Sequence, residues 1–392
     1  MYAHKRDFGI NTGYEVMDTQ EFGKYLEELN YNFCSGVPCS YLANLINYAM
    51  NEVNYVMATN EGEAVAISSG AYLAGAKSMV LMQNSGLTNA TSPLTSLNYT
   101  FKIPILGFVS LRGDKDYRDE PQHDLMGEIT TELLSSMKIP WTFLSNDLSE
   151  AKEQLLQADQ YIKKQQTFFF VVKKNTFDEV ILKKKSGNLL TFQAHGPNVD
   201  FESSNCSRYQ VLQAILDTAD KETLFLGTTG KTGREMFEVK DQPNNLYMVG
   251  SMGCVSSLGL GLALNTKKKV ICIDGDGSLL MRLGNLATNG YYGPDNFLHI
   301  LLDNSCHDST GGQMTVSSGV NFPSLAKACG YIEVQKFDNT SSLKSAIDQW
   351  KSNKRRSFFY LKVKPGSKND LGRPTVTPVQ VKERFMKFVN EI

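Results

Sequence analysis

Short apolar runs and helix-patterned segments alternate along almost the whole chain, and that alternation admits few folds. In the first half, Asn54–Ala58, Ser78–Met82, Ile103–Ser110 and Thr167–Val172 read as strands, and Glu21–Leu29, Glu61–Leu73 and Leu148–Lys163 as helices. In the second, Thr223–Leu226, Leu246–Val249, Val270–Ile273, Leu298–Leu302 and Phe358–Val363 read as strands. Ser207–Asp220, Ser256–Leu264, Leu279–Thr288, Pro323–Cys329 and Thr340–Lys351 read as helices. Repeated β-α alternation predicts an α/β protein of parallel sheets covered by helices on both faces. The 392 residues suit two domains. The break falls at 183–205, basic and then rich in Gly, Asn and Ser. It reads as a linker between domains 1–182 and 206–392, each a doubly wound sheet with no middle domain.

Composition narrows the class. A formal net charge of −1 implies no basic face for nucleic acid. No run of 18 apolar residues is present, so no membrane span is expected. The first residues lack the apolar stretch of a secretory signal. The seven cysteines are scattered, with no C-x-x-C pair. That pattern fits reduced thiols and a cytoplasmic protein.

Chemistry concentrates at strand ends. Gly275, Asp276, Gly277 and Ser278 follow one apolar run, and Asn304 follows the next, 28 residues after Asp276. Carboxyl ends of parallel strands are where such sheets bind ligands. Asp276 and Asn304 supply the hard oxygen atoms that Mg²⁺ takes alongside phosphate oxygens, and the Cys306 carbonyl is a third candidate ligand. The two glycines allow the backbone a sharp turn and close approach to a diphosphate. The plainer alternative is an ordinary Gly-Asp-Gly turn. Thr228 and Thr229 can bond a diphosphate too. Gly230-Lys231-Thr232 is no P-loop, because Phe225 stands where that motif requires glycine.

Glu61 lies at a strand-to-helix junction ahead of small apolar residues. A carboxyl group there suits proton exchange with a heterocycle nitrogen if its surroundings raise its pKa. Alternatively it only stabilises a helix N-terminus, as Glu63 can. Residues 250–262 follow another strand and offer Met252 as an adaptable apolar surface. Gly259 and Gly261 in that segment fit close helix packing. The polar loop 111–123 holds Arg112, a candidate anion clamp, with Gln122 and His123 at its end. His307 begins a second His-bearing loop beside the proposed metal site. His299 reads as a core residue, and His4 and His195 fall in irregular segments.

Taken in order, these motifs make the chain similar to the thiamine-diphosphate-dependent decarboxylases. The resemblance assigns Asp276, Asn304 and the Cys306 carbonyl to Mg²⁺. It assigns Gly275, Gly277, Ser278, Thr228 and Thr229 to the diphosphate, and Met252 as the prop under a bent cofactor. The Gly250 carbonyl accepts a bond from the aminopyrimidine. Glu61, with Gly70 nine residues on, is the activating glutamate, a spacing Glu63 does not meet. Residues 35–40, 60–66, 82–89, 112–113, 119–123 and 307–313 narrow the resemblance to members that act on phosphonopyruvate. Cys39 stands where relatives often carry Asp. The implied substrate is a small anionic 2-oxo acid. Ser40, Gln83, His123 and His307 are expected to orient its carboxylate or relay a proton, Arg112 to bind its anionic end with Lys115 or Arg118 as helpers, and Gln122 to contact the substrate. The family builds each site from two chains, so a homo-oligomer of at least two copies is expected. The alternatives are a sulfonate substrate, against which an unsplit chain weighs, and a non-catalytic cofactor-binding scaffold.

Overall fold

The computed structural model describes residues 16–183, 205–310, 312–368 and 370–391. Most of the expected linker lies outside these residues, as do His4 and His195. Two six-stranded sheets carry the fold. The first comprises β1 (Tyr31–Gly36), β2 (Asn54–Met57), β3 (Lys77–Gln83), β4 (Leu106–Ser110), β5 (Trp141–Phe143) and β6 (Phe168–Val172). The second comprises β7 (Thr223–Gly227), β8 (Asn245–Tyr247), β9 (Lys269–Gly275), β10 (Phe297–Asp303), β13 (Glu333–Phe337) and β14 (Ser357–Lys362). A small antiparallel pair, β11 (Cys306–His307) and β12 (Gln313–Met314), stands apart.

Every pairing within the two large sheets is parallel. The orders are β2-β1-β3-β4-β6-β5 and β13-β14-β10-β9-β7-β8. Counted within each half, both read 2-1-3-4-6-5, so the halves share one topology without a recognisable sequence repeat. The order reverses between the first and third strands, and a crevice opens there at the carboxyl ends. Central strands are buried along their length, as β10 is at all seven positions. Burial on both faces explains their unbroken apolar character.

Three strands escape the apolar-run criterion. β1 contains Asn32 and Ser35, whose hydroxyl donates to the Val56 carbonyl at 2.9 Å. β5 and β13 lie at sheet edges, and their residues are mostly half-buried. The single helix expected over 279–288 is two, Asp276–Met281 and Asn285–Tyr292. The break falls at Arg282, whose φ of −139° is not helical. There the chain leans on the first half, because a methyl group at Gly284 would lie 2.8 Å from Thr59 Oγ1.

The halves are joined through two helices with almost no polar surface. Glu61–Leu73 is buried at twelve of thirteen positions, and Val255–Leu264 is buried at all but its last. They cross so closely that a methyl group at Gly70 would collide with the Leu258 carbonyl, and one at Gly261 with the Ile67 carbonyl. Ala66 and Leu73 belong to the second half's apolar core, and Leu260 to the first's. The helix Pro378–Asn390 closes back on the first half, where buried Lys382 donates to the Lys102 carbonyl and to Gln165 Oε1.

Gly70→Ala and Gly261→Ala are each expected to cost about 1–3 kcal/mol, the usual penalty for overpacking. A lowered urea midpoint measures it, and an unchanged midpoint would mean that the helices separate at little cost.

Candidate active site

The crevice of the second sheet opens into a cleft of about 210 Å³. Residues after β7, β9 and β10 line it together: Thr228 and Thr229, then Gly275–Ser278, then Asn304, Cys306 and His307, with Met252 from the turn before the Val255–Leu264 helix. The strand-end residues singled out from sequence therefore share one wall, because their strands are neighbours at the switch point. Arg208, Lys231 and Asp308 line it too.

Asp276 opens its helix and is 2% exposed. Its Oδ2 accepts the Thr315 hydroxyl at 2.5 Å. Burial pushes its carboxyl up, only partly opposed by Thr315. A buried carboxylate of this kind gains from a cation. Asn304 Nδ2 donates to Asp308 Oδ2 at 2.6 Å, which leaves the amide oxygen as the end available to the cleft. The Cys306 thiol is pushed up to about 12 by burial and by Asp308, so it stays protonated and donates to Asp308 Oδ1 at 3.0 Å. That leaves its carbonyl as the candidate metal ligand. No cluster of three or more His, Cys, Asp or Glu side chains suited to a metal occurs among the described residues. The trio of one carboxylate, one amide and one carbonyl fits Mg²⁺ rather than a soft ion.

The glycines serve the cleft differently from the sequence expectation. Gly275 has φ −113°, open to any residue, so no special turn is made there. Instead a side chain at Gly275 would meet nothing within 4 Å, and its absence leaves the cleft clear. At Gly277 a methyl group would lie 2.6 Å from the His307 ring and 3.4 Å from Met252 Cε. Neighbouring turns do have positive φ, at Gly230 (+89°), Ser251 (+53°), Gly253 (+90°) and Ser305 (+57°) among others. Ser278 Oγ meets Thr228 Oγ1 at 2.9 Å and accepts the Gly253 N–H at 3.1 Å, which draws three loops together. Thr229 Oγ1 donates to the Val249 carbonyl at 2.7 Å. Ser96 Oγ accepts the Ser251 N–H at 2.9 Å and lies against Gly250, fixing that turn from the first half.

Glu61 does not line this cleft. It opens its helix, 9% exposed, with Oε2 accepting from Asn89 Nδ2 at 2.9 Å and its carboxyl lying against Gly86. Arg282 connects it to the second half. Its guanidinium packs on Gly62 and donates to Asn60 Oδ1, while its Cγ lies beside Gly253, next to Met252. Glu63, fully buried two residues on, accepts from Thr59 N at 2.7 Å and Thr59 Oγ1 at 2.6 Å. Burial pushes its carboxyl up, and the Thr59 bonds and the Arg282 charge do not cancel that.

The remaining candidates gather at the matching crevice of the first sheet. Cys39 Sγ lies 3.0 Å from Ser110 Oγ and 3.7 Å from Gln83 Oε1, bridging the ends of β3 and β4. Arg112 is not a free clamp. Nε donates to Asp119 Oδ2 at 2.7 Å and Nη2 to Oδ1, the guanidinium stacks 4.8 Å from the Tyr41 ring centroid, and Nη1 donates to Ser40 Oγ at 3.1 Å. That pairing holds the Asp119 carboxyl well below the usual range. His123 is 8% exposed, and its Nδ1 is buried with no hydrogen-bond partner among the described residues. Gln122 is exposed. Ser40, Gln83, Arg112, Gln122 and His123 therefore lie apart from the cleft that holds His307. Sequence reasoning missed Asn89, Arg208, Arg282, Asp308 and Thr315; Asp308 meets Asn304 four residues away, and the others act across longer stretches of chain.

Residues 19–134 match the thiamine pyrophosphate enzyme N-terminal TPP binding domain, and residues 226–361 match the C-terminal TPP binding domain. The fold resembles benzoylformate decarboxylase from Polynucleobacter necessarius, with a TM-score of 0.69 at 13% identity over 90% of this chain and 100% of that one. Fold and cleft together define a thiamine pyrophosphate enzyme. The chain is 37% identical to phosphonopyruvate decarboxylase of Streptomyces viridochromogenes, over 93% of each protein. It belongs to the phosphonopyruvate decarboxylase family of these enzymes. It is also 28% identical to a sulfopyruvate decarboxylase of Methanosarcina acetivorans, over 96% of this chain and 99% of that one. An unsplit chain therefore does not separate the two groups, contrary to the sequence expectation.

The raised Glu63 carboxyl predicts a pH effect. The folded state holds that proton more tightly than the unfolded chain. Glu63 thus favours folding at low pH and works against it as pH climbs past its raised pKa. Glu63→Gln is expected to raise the urea midpoint at pH 7, with the gain vanishing near pH ~4. A loss at pH 7 would mean that Arg282 compensates the charge.

Proposed function

We propose that this chain is a thiamine-diphosphate- and Mg²⁺-dependent carboxy-lyase that converts 3-phosphonopyruvate to phosphonoacetaldehyde and CO₂. The observation that carries the reading is the convergence of Asp276, Asn304, Thr228, Ser278 and Met252 on one cleft, in a chain alike over its length to a decarboxylase of that substrate. Asp276, Asn304 Oδ1 and the Cys306 carbonyl hold Mg²⁺. Thr228, Thr229, Ser278 and the uncluttered backbone at Gly275 and Gly277 receive the diphosphate. Met252 would support the cofactor, and the Gly250 carbonyl would accept from its amino group. When bound, thiamine diphosphate supplies the carbon nucleophile and the sink for the electron pair released with CO₂.

The protein's own residues do the rest. Glu61, held by Asn89, hydrogen-bonds a ring nitrogen and controls its proton. The Arg112 guanidinium is locked over Tyr41 by Asp119, which fixes where Nη1 and Ser40 meet the phosphonate, with Gln83 and Gln122 alongside. One proton must replace CO₂ on the product, and His307, packed against Gly277 in the cleft, is placed to deliver it; His123 serves the first-half side. Because Ser40, Gln83 and Arg112 lie at one sheet's crevice and the cofactor residues at the other's, a second copy of the chain completes each site. A homo-oligomer in the cytoplasm follows, in keeping with seven free thiols.

A sulfonate-bearing substrate is the second reading. Asp119 neutralises Arg112, and a pocket with fewer unpaired cations suits the lower charge of a sulfonate.

Purified protein with thiamine diphosphate, Mg²⁺ and phosphonopyruvate is expected to yield phosphonoacetaldehyde by phosphorus NMR, faster than it consumes sulfopyruvate or pyruvate. Preference for sulfopyruvate would replace the substrate. Turnover of none would remove the enzymatic reading. Glu61→Gln should lower kcat by about 10²–10⁴-fold, the usual span for a proton-transfer group. Wild-type turnover in that variant would end its assigned role.

A further inference from the structure

An Asn side chain has two ends alike in shape and opposite in chemistry. For Asn304 to offer oxygen to a cation, its nitrogen end must be held elsewhere. In this chain the Asp308 carboxylate holds it: Asn304 Nδ2 donates to Asp308 Oδ2 at 2.6 Å. The amide oxygen then faces the other way, approached by the Cys306 N–H at a long 3.3 Å.

Asp308 is itself pinned from several sides. Arg208 Nη1 donates to Oδ2 at 2.9 Å, and the Cys306 thiol and Gly366 N–H donate to Oδ1 at 3.0 and 3.1 Å. Arg208 also donates through Nε to Glu235 Oε2 at 2.8 Å and through Nη2 to the Gly366 carbonyl at 3.3 Å. The Arg208 and Glu235 side chains are 6% and 1% exposed. Burying such a triad is expensive unless its bonds are complete. Here the start of one helix and the segment after β14 converge on a single carboxylate, and Glu235 in the middle of another helix holds the Arg208 that reaches it.

We propose that Asp308 is a positioning residue for the metal site: it orients the Asn304 amide with oxygen toward the cleft, and Arg208 and Glu235 hold Asp308 in place to do so. The inference rests on the reading of Asn304 as a cation ligand. Without Asp308 the amide can turn over and present N–H groups to the cation. Arg208, although it lines the cleft, is committed to Glu235 and Asp308 and acts as a support, not as a diphosphate ligand.

The test uses Mn²⁺ in place of Mg²⁺, bound to the full chain with thiamine diphosphate and followed by electron paramagnetic resonance without substrate. Asp308→Ala is expected to weaken Mn²⁺ binding about 10-fold or more, as loss of an outer partner does. Asn304→Asp in that background should restore it, because a carboxylate has two equivalent oxygens and needs no orienting partner. A merely structural role for Asp308 does not predict that rescue, and failure of the rescue overturns the proposal. Normal Mn²⁺ affinity in Asp308→Ala, with loss in Asn304→Ala, overturns the proposal and leaves Asn304 as a ligand. Normal affinity in Asn304→Ala removes the ligand reading and the proposal together. If Asp308→Ala does not fold, Asp308→Asn decides, with a loss of about threefold or more expected and no loss overturning the proposal.

Discussion

The architecture depends on the crossing of two helices with almost no side chains between them. Gly70 and Gly261 let Glu61–Leu73 and Val255–Leu264 meet backbone to backbone. Any larger residue at either position forces the helices apart. Because both are buried nearly all round, neither half is complete without the other. The crossing also sets the geometry of function. Both helices begin at the same edge, where Arg282 reaches from Gly253 at one N-terminus to Asn60 and Gly62 at the other. The proposed activating carboxylate and the Met252 turn are thereby tied to one guanidinium.

What was legible in the sequence follows from how locally each feature is encoded. Central strands announce themselves because burial on both faces demands continuous apolar runs. β1 does not, since Asn32 is exposed and Ser35 bonds the Val56 carbonyl of the neighbouring strand. The helix break falls at Arg282, which bonds Asn60 more than 200 residues away, and no local pattern signals it. The residues facing the cleft were legible because strand ends carry ligands in this architecture, and Asp276, Asn304 and Thr228 all follow apolar runs. Their supports were not. Asp308 meets Arg208 across 100 residues, and Asp276 meets Thr315 across 39. Arg112 and Asp119 lie in one loop, yet composition does not tell a clamp from a closed ion pair.

At Gly275 the structure gives a reason for glycine other than a turn. Its backbone angles are ordinary, and what matters is the empty volume above it. Gly277 matters through the His307 ring that lies where a methyl group would go. In both cases glycine acts by giving room, not by permitting a turn.

The repeated strand order has an evolutionary corollary. Each half presents the same kind of crevice, but one is furnished with oxygen and hydroxyl groups for a metal and phosphates, and the other with Cys39, Ser40, Gln83 and Arg112. On the proposed reading, the groups for metal and diphosphate and the groups for the acid's anionic end are thus written on separate scaffolds of identical plan, while Glu61 and His307 cross that division. If residues 39–40, 83 and 112–123 select the acid as proposed, mutations there would change the acid while the metal and diphosphate residues of the other scaffold stay unchanged. A lineage built this way can diversify by editing a few loops of one half, and a protein engineer can follow the same route.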